Sequence, residues 1–133
     1  MDTKPKKCQA CGSTIFHMPH QIYRKFCSNK CQAQLKTKIQ NEANKAKLLK
    51  GELSVRQIIK RTMLYMGIEH KCEICGLTNW LNKPISLILD HKNGNAGDNS
   101  LKNLRFICHN CDAQSEFYKG KNKGRGRKSL GLL

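Results

Sequence analysis

The stretch that decides the fold is LILDHKNGNAGDNSLKNLRFICHNC, residues 87–111. An apolar run ends in Asp90 and His91, and a loop follows in which five of the seven residues from 93 to 99 are Asn or Gly. A second apolar run, LRFIC, leads into a pair of cysteines. This order predicts a strand over 85–89, a turn-rich loop, a strand over 104–108 and a helix over 111–118.

The acid and the imidazole that end the first strand are suited to hydrolytic chemistry. A hard cation such as Mg²⁺ takes one or two carboxylates and completes its shell with water and substrate phosphate. Asp90 offers one carboxylate, and His91 offers an imidazole, the side chain best suited to accept a proton from water near neutral pH. Neighbouring strand residues point to opposite faces, so one site requires a bend, which Asn93 to Asn95 can supply. The helix after the second strand can return Asp112 as a second carboxylate.

Eight cysteines form two groups of closely spaced pairs. Two or three residues between cysteines allow a tight turn to aim both thiolates at one ion, and two such pairs complete the tetrahedral shell of zinc. Disulfides or redox pairs are the alternative, and they are disfavoured because the first residues lack the apolar segment of a secretory signal. We expect one structural Zn²⁺ on each group: Cys8, Cys11, Cys27 and Cys31, and Cys72, Cys75, Cys108 and Cys111.

The chain is strongly basic, with 25 Lys and Arg against nine Asp and Glu and a formal net charge of +16. Such a charge indicates a nucleic-acid partner. A basic but merely soluble surface, or an acidic protein or ribosomal partner, is the alternative. No run approaches the 18 apolar residues of a membrane span, so we expect no membrane partner and a cytoplasmic location, the host cytoplasm if the protein is phage-encoded.

The segment between the cysteine groups is polar and rich in helix formers. A Lys-rich helix of little apolar surface is expected to end near Gly51, as a solvated arm or connector. Ser54 and Gln57 then predict a capping box for a second helix. In that helix an apolar stripe recurs at helical spacing: Val55, Ile58, Ile59, Met63 and Met66. After Cys75, Trp80 is expected to pack over the zinc knuckle, with an exposed stacking role as the alternative.

The segment from about Gly67 to Asn122 resembles the HNH endonuclease family, whose fold is the ββα-metal finger. The resemblance lies in CEICG, LDHKNGN, DNSLKNLRFIC and CDAQ, in this order. It implies that His91 activates the attacking water, that Asp90 binds a catalytic Mg²⁺ or Mn²⁺, and that Asn103 orients the histidine loop. The family usually has His or Asn as its third signature residue, and here Asp112 stands at that position. Asp is a good ligand for a hard metal, and a shifted metal site or an inactive domain is the other interpretation.

The N-terminal CQACG and KFCSNKC resemble the treble-clef-like fingers found ahead of some small phage HNH nucleases. We therefore expect a small zinc-stabilised α+β fold in four parts. These are a zinc finger (1–35), a basic helical connector (36–66), an HNH domain (67–122) and a flexible basic tail (123–133).

Taken together, these features predict an HNH DNA endonuclease of phage or mobile-element type that leaves 5′-phosphate and 3′-hydroxyl ends. Because one such site cuts one strand, a homodimer is possible. The competing hypotheses are a catalytically inactive zinc-finger DNA-binding protein on the same scaffold and an RNA-binding zinc ribbon. The expected DNA contacts are Arg24, Lys25, Arg56, Lys60, Arg61, Arg105, Lys121, Lys123, Arg125 and Arg127.

Overall fold

The structure is a computed structural model that describes residues 5–16 and 23–118. The chain divides into two compact units, Met1–Ala43 and Asn44–Leu133. The expected basic tail over 123–133 lies outside the described residues, as do the predicted DNA contacts Lys121, Lys123, Arg125 and Arg127. None of the described helices is both long and apolar enough to cross a lipid bilayer.

In the described part of the first unit, one short hairpin precedes the helix. Strand β1 (Lys6–Lys7) pairs antiparallel with β2 (Thr14–Ile15), and helix α1 runs over Asn29–Leu49. The boundary between the units falls within α1. Of the residues of α1 only Leu48 is buried, as its Lys-rich and apolar-poor sequence predicts. This helix therefore draws little stability from an apolar face of its own.

Helix α2 (Arg56–Tyr65) opens the packed part of the second unit. Ile59 and Met63 are buried, and both belong to the predicted apolar stripe. The first stripe position, Val55, is instead the N-cap and is 53% exposed. The predicted capping box is wrong, because no side chain hydrogen-bonds to the backbone at this cap. Packing of the stripe against the sheet, rather than capping, therefore holds this helix.

A short hairpin follows the third cysteine pair of the chain. Strands β3 (Asn79–Trp80) and β4 (Lys83–Pro84) are joined by a two-residue turn, Leu81–Asn82. Both turn residues have positive φ, 48° and 59°, as a primed hairpin turn requires. Glycine and asparagine favour this conformation, whereas it costs a leucine roughly 1–2 kcal/mol. Trp80, which was expected to pack over the zinc knuckle, is 60% exposed and borders a groove that Cys108 also lines.

The longest sheet is the antiparallel hairpin of β5 (Leu87–His91) and β6 (Leu104–Cys108). Strand β5 begins two residues later than predicted, and it includes Asp90 and His91 in its ladder. A short 3-10 turn, Leu101–Asn103, leads directly into β6. Helix α3 covers only His109–Ala113, so it is shorter than the predicted helix over 111–118.

The main core of the second unit lies on one face of β5 and β6. Residues alternate along β5, so Leu87 and Leu89 are buried and Ile88 is half-buried. These side chains pack with α2, with the end of α1 and with two of the cysteines. The buried members of this cluster are Leu48, Leu53, Ile59, Met63, Cys72, Leu87, Leu89, Leu104, Phe106, Ile107 and Cys108.

Candidate metal centres and active-site cleft

Two cysteine clusters lie where the spacing predicts them. Within each group of four, the sulfur atoms all lie within 4.8 Å of one another. Resolved sulfur–sulfur distances are 3.4 Å between Cys27 and Cys31 and 3.7 Å between Cys75 and Cys108. Four sulfurs about 2.3 Å from a tetrahedral zinc lie about 3.8 Å apart. Each cluster therefore has the number, kind and separation of donors that a zinc ion needs.

The thiols within each cluster differ in pKa. In the first cluster, backbone N–H groups of Cys11 and Cys27 lower the pKa of Cys8 to about 6, whereas the Cys31 side chain raises the pKa of Cys27 to about 12. In the second cluster, burial opposes ionisation of Cys72, but backbone N–H groups of Cys75 and Cys108 lower its pKa to about 6. Four thiolates this close repel one another, and a divalent cation relieves that repulsion by displacing the remaining protons.

His91 lies at the end of β5 in a cleft of about 380 Å³. The side chain is buried, and its Nε2 is 2.9 Å from Oδ1 of the equally buried Asn99. Because an amide oxygen only accepts hydrogen bonds, the imidazole donates from Nε2 and Nδ1 is the ring nitrogen without the proton. Arg56, at the start of α2, lines the same cleft. The cleft therefore combines an oriented imidazole with an exposed guanidinium.

Asn103 closes the loop that follows His91. Its Oδ1 accepts a hydrogen bond from the backbone N–H of Asn93 at 3.0 Å, and its Nδ2 donates to the carbonyl oxygen of Asp98 at 2.8 Å. Its own carbonyl accepts from the N–H of Lys92 at 2.8 Å. A single buried amide therefore ties both ends of the loop to the start of β6. The side-chain hydrogen bond of the imidazole is instead made to Asn99.

The same loop approaches the segment after α3 closely. Gly94 has φ of 70°, and a Cβ on it would lie 2.7 Å from the ring of Phe117. Any other residue at this position would have to displace the ring. The glycine therefore serves both the turn and the packing of Phe117 against it.

Asp90 points away from this cleft. Its Oδ2 accepts a hydrogen bond of 2.7 Å from Nε of Arg105, its cross-strand partner, and both side chains are largely buried. The ladder is regular through His91, so Asp90 and His91 stay on opposite faces of β5. The chain turns from Lys92 onward, after both residues.

Asp112 lies on α3 and is half-buried. Among the described residues, none forms a hydrogen bond or ion pair with its carboxylate. Arg105 engages only one carboxylate oxygen of Asp90. The other oxygen of Asp90 and the carboxylate of Asp112 are thus oxygen donors suited to a metal ion. His109, three residues before Asp112, instead lies 3.4 Å from Oγ of Ser86 through its Nε2.

The described basic residues predicted to contact DNA fall into two groups. Lys60 donates a 2.8 Å hydrogen bond to the carbonyl of Leu87, and Arg105 is engaged by Asp90, so both have partners inside the fold. The exposed group is Arg24, Lys25, Arg56 and Arg61, of which Arg24 also donates a 3.2 Å hydrogen bond to the carbonyl of Cys27.

Asn99 is the residue of the cleft that sequence reasoning missed. Its position in a loop rich in Asn and Gly suggested only a turn. The contact with His91 depends on how the loop folds back over eight residues, which local sequence does not specify.

Comparison with known proteins adds an independent finding. No protein-family model and no solved structure matches the chain. A curated protein of Escherichia phage T5, H-N-H endonuclease F-TflIV, is 48% identical over 68 residues, which is 50% of this chain. The match spans only 30% of that relative's length. The resemblance to the HNH endonuclease family that the sequence motifs predicted is therefore confirmed by a curated relative.

Proposed function

We propose that this protein is a metal-dependent HNH DNA endonuclease that hydrolyses a phosphodiester bond. The observation that carries the proposal is the cleft in which Asn99 orients His91 beside the exposed Arg56. A guanidinium is suited to bind a DNA phosphate. An imidazole fixed by a buried amide is suited to take a proton from water. The phage relative supports the nuclease assignment.

The proposed proton acceptor is Nδ1 of His91. Asn99 fixes the tautomer by accepting a hydrogen bond from the Nε2–H group, which leaves the Nδ1 lone pair for the attacking water. Asn103 is a positioning residue, because it holds the loop that carries the neighbours of His91. Loss of a general base typically costs about 10²–10⁴-fold in rate.

Asp90 and Asp112 are the proposed ligands of one catalytic divalent cation, Mg²⁺ or Mn²⁺. Carboxylate oxygens suit such an ion, and Arg105 occupies only Oδ2 of Asp90. To serve the His91 cleft, Asp90 has to turn from the opposite face of β5 when the cation binds. When bound, the cation stabilises the charge that develops on the phosphate and on the departing 3′ oxygen. The expected products carry 5′-phosphate and 3′-hydroxyl ends. Since one such site cuts one strand, cleavage of both strands requires two protomers or two events.

The two cysteine clusters are proposed to hold structural zinc. Their thiolates lie apart from His91 in the chain and supply no oxygen ligand, so zinc would hold the fold rather than take part in hydrolysis. DNA is the proposed substrate because the chain is strongly basic, and the exposed Arg24, Lys25, Arg56 and Arg61 are the proposed phosphate contacts.

Cleavage of supercoiled plasmid tests the proposal. The zinc-loaded protein is incubated with plasmid, with and without added Mg²⁺ or Mn²⁺, beside the His91→Ala variant. We expect nicked or linear product only with the parent and the added metal, and products that a DNA ligase can reseal. Zinc content is measured in each sample, so that loss of structural zinc is not mistaken for loss of catalysis.

A parent protein that binds the plasmid but leaves it intact under all these conditions would contradict the enzyme. It would favour the inactive DNA-binding protein on the same scaffold. Equal cleavage by parent and His91→Ala would contradict the assigned role of the imidazole.

A further inference from the structure

The β3–β4 hairpin presents apolar side chains that the described fold leaves uncovered. Trp80 is 60% exposed and Leu81 is 81% exposed. They border an apolar groove of about 590 Å³, which we call the hairpin groove, lined also by Lys83, Ile85, Ser86 and His109. Isolated exposed leucines are common, but here an aromatic and a leucine stand side by side on the tip of a turn.

The backbone conformation at this tip indicates that folding alone does not account for the exposed Leu81. Leu81 adopts φ of 48° at a turn position where asparagine or glycine is favoured. Its side chain makes no compensating apolar burial, because most of it faces outward. The fold thus keeps a leucine where the residue is unfavourable for conformation and gains nothing from packing. Such outliers are a reason to look for a ligand.

We propose that the tip of this hairpin, Trp80 and Leu81, contacts the bases of the DNA substrate as an apolar wedge. This inference rests on the proposed function, of which it specifies the substrate contact. Apolar side chains that insert at base steps, and aromatic rings that stack on bases, are established modes of DNA recognition. They suit a short, exposed, conformationally fixed turn.

Charge favours DNA over a protein partner. Among the described residues, no acidic one lines the hairpin groove, and Lys83, the cross-strand partner of Trp80, is exposed beside it. The chain as a whole carries +16. A lysine next to an aromatic tip can hold a phosphate while the ring contacts the bases. A second copy of this chain is also strongly basic and would repel the lysine instead.

The hairpin groove and the His91 cleft lie at opposite ends of the same strand. Ser86, just before β5, lines the groove, and His91 at the end of β5 lines the cleft. From Ser86 to His91 there are five rises of about 3.3 Å each, or about 17 Å. That length corresponds to about five base pairs of duplex at 3.4 Å each. A duplex along β5 would thus meet the edge of the hairpin groove about five base pairs from the phosphate in the cleft.

Trp80 is the single tryptophan of the chain, so its fluorescence reports on the hairpin alone. The zinc-loaded full-length protein is titrated with a fluorescently labelled DNA duplex, without added Mg²⁺ or Mn²⁺. DNA anisotropy measures binding, and Trp80 emission is followed in parallel with unlabelled duplex. We expect quenching of Trp80 with the same midpoint as the anisotropy change.

The decisive variant is Leu81→Asn, which places in the turn a residue that favours its conformation. We expect a melting temperature equal to or above that of the parent and an affinity for duplex about tenfold weaker, since apolar burial on the bases is lost. Leu64→Ala, which trims another partly exposed leucine on α2, is the matched control and should leave affinity unchanged.

Binding that leaves Trp80 emission unchanged, or full affinity in Leu81→Asn, would overturn the wedge. Plasmid cleavage by the parent would then still support the nuclease. A change in Trp80 emission on raising protein concentration without DNA would also overturn it, in favour of self-association. Quenching with weakened Leu81→Asn but no cleavage would support the wedge and contradict the enzyme instead.

Discussion

The two units of the chain are held together by different means. In the described part of Met1–Ala43, only Cys8 and Ile15 are buried, and the paired strands have two residues each. In Asn44–Leu133, eleven buried residues form one apolar cluster that includes two of the four cysteines of its own group. A metal on the first cysteine group would therefore have to replace a core, whereas a metal on the second would add to one.

The largest effect that tests this comparison is the removal of zinc. The first unit should lose its structure, because apparent binding energies of structural zinc are about 10–16 kcal/mol and little else is buried there. The second unit should lose its cysteine knuckles but retain part of its β5–β6 hairpin. Amide hydrogen exchange before and after chelation, read by mass spectrometry, measures both.

Cysteine variants separate the two clusters. Cys11→Ser and Cys75→Ser should each lower the bound zinc from two ions to one per chain, and re-added zinc should restore protection only where four cysteines remain. Unchanged exchange over residues 5–16 in the Cys11→Ser protein would show that the first unit does not depend on metal.

The next largest effect tests the proposal that catalysis takes place in the second unit. His91→Ala should lower plasmid cleavage by about 10²–10⁴-fold while DNA affinity stays within about twofold, because the imidazole acts on water and touches neither cysteine cluster. Single-turnover cleavage and DNA anisotropy measure the two quantities. A parallel loss of affinity and cleavage would assign His91 to binding rather than to proton transfer.

A smaller effect tests the residue that holds the imidazole. Asn99→Ala should lower cleavage by about tenfold, which corresponds to about 1.4 kcal/mol, a typical net value of one hydrogen bond. The loss should be smaller than in His91→Ala, because the imidazole remains in the cleft. Single-turnover rates of the two variants decide this, and an Asn99→Ala loss as large as that of His91→Ala would show that the loop itself collapses.

The smallest effects distinguish two neighbouring basic residues of α2. Arg61 is exposed, so Arg61→Ala should reduce the slope of log affinity against log salt by about one and leave stability unchanged. Lys60 donates a hydrogen bond to the carbonyl of Leu87 within the fold, so Lys60→Met should lower the melting temperature by a few degrees. Its change in salt slope should be smaller than that of Arg61→Ala. Equal salt slopes for both variants would mean that the internal hydrogen bond does not hold Lys60 back from DNA.

Local patterns predicted much of the second unit. The apolar stripe of α2, the two strands that flank the loop and the two groups of cysteines all depend on spacing within the sequence. Strand β5 differs from its prediction, because its pairing with β6 extends to His91 rather than ending at Leu89. Pairing with β6 decided that length, because cross-strand hydrogen bonds extend a strand beyond its apolar residues.

The sequence by itself determined which ligands are available: eight cysteines in closely spaced pairs, and the residues Asp90, His91, Asn103 and Asp112 in family order. Only the tertiary structure decided how they are used. Ladder alternation puts Asp90 against Arg105 and His91 into the cleft, and loop closure brings Asn99 to the imidazole. Such contacts join residues eight to 15 positions apart in the chain, and their geometry depends on strand register and side-chain packing, which no local pattern of residues encodes.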